Sequence, residues 1–68
     1  MSRQTLFADV LLPLAVPNFY TYRVPFELNE KMQPGIRVLV QFGKSRFYSA
    51  LVHKVHETPP DYTAKYIE

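Results

Sequence analysis

Residues 36–56, IRVLVQFGKSRFYSALVHKVH, decide how this chain is to be read. Before the glycine, Ile36, Val38, Val40 and Phe42 alternate with Arg37, Leu39 and Gln41, the period of two that marks a strand with one buried face. After it, Phe47, Ser49, Leu51, His53 and Val55 alternate with Tyr48, Ala50, Val52, Lys54 and His56. The middle of this second run is apolar on both faces, so it is expected at the centre of a sheet or where a barrel closes. The two runs read as an antiparallel hairpin, 36–42 with 46–56, turning at QFGKSRF. Gly43 supplies there a backbone conformation that other residues resist.

Working outward, 6–12 reads as a first strand ended by Pro13, and 19–24 (FYTYRV) as a second, bounded by Pro17 and Pro25. The two prolines of PLAVPN make the link between them extended. Residues 25–35 allow a short turn of helix and close on Pro34-Gly35, a turn signal. Downstream, HETPPDYT is a polar, Pro-rich loop. The last four residues, KYIE, start what looks like a further strand, 65–68, which the chain abandons. That ending suggests a single 1–68 domain cut from a longer protein, its last strand truncated and its sheet edge open to pairing. Five short strands with Pro and Gly punctuation predict an all-β fold, a small, partly open five-stranded β-barrel of SH3-like or oligonucleotide-binding (OB-like) type.

Sixty-eight residues make one small domain, which buries only ~60% of its unfolded surface. There is no cysteine, which excludes disulfides and Cys-ligated zinc and fits a reducing compartment. An apolar content of 47%, with five Phe and five Tyr, still suffices for a core and argues against disorder. The apolar run 10–16 is broken by Pro13, follows Asp9 rather than a basic stretch, and falls far short of the ~20 residues of a membrane span. A soluble intracellular protein with no membrane partner is the expectation.

The net charge of +2 is ordinary, but its distribution is not. Between Lys31 and His56 there is no acid, while Lys31, Arg37, Lys44, Arg46 and Lys54 all fall there. Such a half suits an anionic partner, of which nucleic acid is the commonest, or is an ordinary solvated face. Rings interleave with the cations: Phe19, Tyr20 and Tyr22 beside Arg23, and Phe47 and Tyr48 beside Arg46. Bases stack on such rings for about 1–3 kcal/mol each while Lys and Arg take phosphates. Equally, a barrel this small needs its Phe residues inside. Phe7, Phe42 and Phe47 are therefore expected in the core, and the Tyr rings at the rim where their hydroxyls stay wet. Tyr20 and Tyr22 share one strand face and Thr21 takes the other.

Enzymatic readings find little support. His53 and His56, three apart on a strand, face opposite sides and do not converge on a metal. No nucleophile–base set can be assembled, so no catalytic residue and no cofactor is assigned. GKS resembles the end of a phosphate-binding P-loop, but Val38 stands where its first glycine belongs and a strand follows instead of a helix.

The order of the segments adds a resemblance. ADVLLP at 8–13, YRVP at 22–25, PGIRVLVQFGK at 34–44 and LVHKV at 51–55 together resemble the N-terminal 3′ DNA-binding domain of the PriA replication-restart helicases, the primosomal protein N′ family. The resemblance runs from about Phe7 to the last residue. It implies a β-rich, OB-like domain that holds the 3′ end of the nascent leading strand at a stalled fork, in a pocket for the terminal nucleotide and its free hydroxyl. By position it assigns Tyr20, Thr21, Tyr22, Gly43 and Lys65 to that pocket. Lys44 and Arg46 sit at the hairpin tip, the right place for phosphate contacts but also for plain solvation. It further implies a bacterial, cytoplasmic protein at replication forks, with the helicase body of the same chain and other primosome proteins as partners.

Three departures from the family pattern stand out. Thr21 occupies a position that is often Asp, where a carboxylate accepts from the 3′-hydroxyl, so selectivity is expected to rest more on shape than on charge. Gln41 replaces a Pro and restores a backbone donor. Ala50 replaces a Gly. The ATP site and the cysteine-rich zinc module of the family have no counterpart in these residues. This chain is thus expected to be no enzyme and to carry no cofactor, the ATP-dependent helicase lying in the rest of the parent protein. The alternative is an SH3-like barrel serving protein interaction or RNA and ribosome binding.

Overall fold

The computed structural model describes residues 5–15 and 18–68. Four strands form one antiparallel sheet: β1 (Leu6–Leu12), β2 (Asn18–Val24), β3 (Arg37–Phe42) and β4 (Arg46–His56), in the order β2-β1-β4-β3. The hairpin pairs Phe42 with Arg46 and Val38 with Ala50, and its longer arm is a central strand, as its two-sided apolar middle requires. β3 starts at Arg37, one residue later than the alternation suggested, although Ile36 still accepts a bond from the Val52 amide. Between β2 and β3, Pro25 leads into a single 3-10 turn, Phe26–Leu28, and Gly35 turns the chain with φ +96°.

The core lies on one face of this curled sheet. Ala8, Val10 and Leu12 of β1, Val24 of β2, Val40 of β3 and Ala50 and Val52 of β4 are all buried there, with Met32 from the connection. Small side chains on the central strands let the sheet curl tightly around them. Tyr22 joins them at 4% exposure, against the expectation that the tyrosines stay at the rim. Its hydroxyl is not stranded, because it donates to the Gln41 carbonyl at 2.7 Å. Conversely Phe47, expected in the core, is 51% exposed. It pairs with Gln41 on the outer face, while Ala50 and Val52 fix the opposite parity of β4 as the inner one. Phe42 is half-buried against the core. Phe7 is buried on the outer side, where it stacks on His56 with ring centroids 6.3 Å apart.

A second correction concerns the end of β4. Val10 pairs with Val52 but Asp9 with Lys54, so His53 is the extra residue of a bulge. Beyond it the faces exchange: Val55 packs on the core, and Lys54 and His56 lie outside with Asp9 and Phe7. Strict alternation had placed Val55 with Phe47 and His56 with Ala50.

Residues 65–68 form no fifth strand; Tyr66 makes an isolated parallel bridge with Arg23. The segment nonetheless touches both sheet edges. The Arg23 amide donates to the Lys65 carbonyl at 2.7 Å and the Ile67 amide to the Arg23 carbonyl at 3.0 Å, while the Glu68 amide reaches the Leu39 carbonyl on β3 at 2.9 Å. Ile67, 3% exposed, is its plug in the core. The sheet itself is not closed; this short segment spans its gap and makes a partly open barrel. Among the described residues no helix is long and apolar enough to cross a membrane.

Candidate nucleic-acid interface

One pocket, of about 180 Å³, opens where three parts of the chain meet: Tyr20, Thr21 and Tyr22 on β2, Gln41, Phe42 and Gly43 at the hairpin turn, and Tyr62, Thr63 and Lys65 on the tail. Alternation along β2 turns Tyr20 and Tyr22 inward, where the Tyr20 ring tilts against Phe42 at 4.8 Å. Burial raises the Tyr22 phenol above its ordinary value, and Tyr62 and Tyr20 add to the effect. It therefore stays a neutral donor, fixing β2 to the hairpin through Gln41.

The turn is set by two residues. Gly43 has φ +79°, the left-handed region that favours glycine, and a Cβ there would meet nothing within 4 Å. Backbone conformation accounts for the glycine, and the space beside it is open to the pocket. The Gln41 side chain donates to the Lys44 carbonyl at 2.9 Å and so braces the loop from within. Opposite, Lys65 Nζ donates to the Gly43 carbonyl at 3.2 Å, joining tail to turn across the pocket. An exposed ammonium on a neutral carbonyl is readily exchanged for a phosphate oxygen. Lys44 and Arg46 are exposed and do not line the pocket.

Thr21 works in two directions. Its backbone amide donates to the Tyr62 hydroxyl at 2.9 Å, drawing the tail onto the β2 edge. Its hydroxyl donates across the β1–β2 ladder to Asp9 Oδ1 at 2.7 Å. The same oxygen is 2.8 Å from His56 Nε2. Because His56 Nδ1 accepts from the Thr58 amide at 3.1 Å, the Nε2–H tautomer donates to Asp9. Burial alone would raise the Asp9 carboxyl, but the hydrogen bonds from His56 and Thr21 and the nearby His56 and Lys54 bring it below its ordinary value.

The five residues assigned by resemblance thus border one pocket. Sequence reasoning missed Tyr62 and Thr63, which lay in a stretch read as a polar loop. An aromatic set just after two prolines was the available signal. Asp9 carries no local signal, because its partners Thr21 and His56 lie 12 and 47 residues away. Among the described residues no group of three or more His, Asp or Glu is placed to hold a metal ion.

A family model described as the 3′DNA-binding domain (3′BD) of PriA matches residues 9–68. The chain belongs to the PriA 3′ DNA-binding domain family. Searches of curated proteins and of solved structures each returned no match. The match takes in all three walls of the pocket, and it makes binding of DNA the function of this family.

Proposed function

We propose that this chain is the DNA-end-reading module of a replication-restart helicase and that its pocket takes the terminal nucleotide of a nascent leading strand at a stalled fork. The convergence of Tyr20, Thr21, Tyr22, Gly43 and Lys65 on one pocket carries this reading, since they come from three separate segments. A volume of about 180 Å³ lies below the ~300 Å³ at which ordinary ligand sites begin, which suits one partly inserted nucleoside better than a longer segment. The tilted Tyr20 ring offers an aromatic wall for the base or sugar, and Lys65 sits at the mouth for the phosphate that follows. Unwinding and helicase loading would belong to the remainder of the parent protein, as would ATP and zinc.

The test is fluorescence anisotropy with oligonucleotides ending in a 3′-hydroxyl or a 3′-phosphate. Tighter binding of the hydroxyl end is expected. Lys65→Ala should weaken both by about 1–3 kcal/mol, the worth of a charge-assisted contact. Equal binding of the two ends by the unaltered protein would remove the end-reading claim. Tyr22→Ala is a poor probe, because that ring is core; Tyr20→Ala tests the aromatic wall with less damage.

A further inference from the structure

The family position often held by a carboxylate is Thr21, which by itself brings no charge to the pocket. Its hydroxyl, however, has one proton, and that proton is directed at Asp9 Oδ1 at 2.7 Å. A hydroxyl whose proton is committed retains only its lone pairs, so towards any further partner it is an acceptor. Asp9 stands directly opposite Thr21 in the ladder, on the central strand β1, and its position is further held by His56. Lys54, paired with Asp9 across the bulge, is the cation facing this carboxylate, His56 donates to it through Nε2, and Arg23 lies two residues from Thr21 on β2.

We propose that Asp9 is the positioning residue that makes this pocket select a free 3′-hydroxyl: it holds the Thr21 proton, leaves Thr21 Oγ1 as a pure acceptor, and places a negative charge one side chain behind the DNA end. The inference rests on the end-reading function proposed above. It replaces selection by shape with selection by charge, relayed from the neighbouring strand. A 3′-hydroxyl donates to Thr21 Oγ1. A 3′-phosphate has no proton to give there and meets the field of the Asp9 carboxylate.

The experiment measures two ratios on the 68-residue chain: binding of a 3′-hydroxyl end against a 3′-deoxy end, and against a 3′-phosphate end. In Thr21→Val the first ratio should fall by roughly threefold to tenfold, the worth of one hydrogen bond, while the phosphate end is still rejected because Asp9 remains. In Asp9→Asn, whose amide oxygen still accepts from Thr21, the first ratio should hold while the second falls. Adding Thr21→Asp to Asp9→Asn puts a carboxylate back at the end and should restore the second ratio, a rescue that a merely structural role for Asp9 would not give. Circular dichroism on each variant separates loss of fold from loss of selectivity, and Thr21→Val, with its β-favouring side chain, keeps the test open if Asp9→Asn unfolds. If the unaltered protein selects the hydroxyl end and folded Asp9→Asn keeps the same phosphate ratio, or folded Thr21→Val the same deoxy ratio, the relay is wrong and the end-reading function stands. If the unaltered protein shows no selection, both fall.

Discussion

Two of the pocket's three walls differ in make. The hairpin wall, 41–43, hangs from the β3–β4 ladder and is tied to β2 through the Tyr22 hydroxyl. The tail wall, 62–65, has no ladder of its own. It is held by the isolated bridge at Tyr66, three backbone hydrogen bonds at 65–68, the Thr21 amide on Tyr62, and the Ile67 side chain in the core. Segments held by few bonds open locally at lower free energy than central strands. The hairpin is therefore the fixed jaw of the pocket and the tail the adjustable one, and Lys65, the cation at the mouth, sits on the adjustable side.

The sharpest way to break this contrast is Ile67→Ala. Truncating a buried aliphatic side chain costs about 2–5 kcal/mol in general, and here that loss falls on the only core anchor of residues 65–68 among the described ones. Hydrogen exchange should show the Arg23, Ile67 and Glu68 amides losing protection while the β3–β4 amides keep theirs. DNA-end binding should fall with the tail. Uniform loss of protection would mean that tail and hairpin open as one unit.

The two walls also differ in how far they could be read from sequence. The hairpin was legible because alternation and a turn glycine are local signals, and both agree with the fold. What failed there was parity: β4 is apolar on both faces, so Phe47 looked as suited to the interior as Ala50, and only the curvature of the sheet favours the smaller residues inside. The bulge at His53 left no mark in composition. The tail was hard to read because its hydrogen bonds reach Arg23 and Leu39, residues far away in sequence. KYIE reads as the start of a further strand, which it does not form, and its role in spanning the sheet gap depends on two edges that no local pattern reveals. The same holds for Asp9, whose partners, Thr21 and His56, lie 12 and 47 residues away.

A second, smaller effect is expected on the fixed jaw. Gly43→Ala puts a side chain at φ +79°, which costs on the order of 1–2 kcal/mol, with no steric clash to add because the space is open. Chemical denaturation should show that modest loss with an unchanged slope. Binding of a DNA end should suffer more than stability does, since the new methyl projects where a nucleotide would approach the bare turn. Losses of equal size in the two measurements would make the glycine a turn residue alone.

The smallest effect tests how the tail is rooted. Asp9 holds His56 through Nε2, and His56 in turn accepts from the Thr58 amide, the first bond the chain makes after leaving β4. The Asp9 carboxyl titrates below its ordinary value of 3.8 in the folded protein. Its contribution to stability is therefore complete above that value and is lost as pH falls through the lower, folded one. Unfolding midpoints of the unaltered protein and of Asp9→Asn should differ at neutral pH and converge as acid is added, with the Thr58 amide exchanging faster in the variant at neutral pH. A difference that stays constant into acid would show that the Asp9 charge does not stabilise the fold. The root of the tail would then depend on the shape of the Asp9, His56 and Thr21 contacts, and the adjustable jaw would be insensitive to the charge behind it.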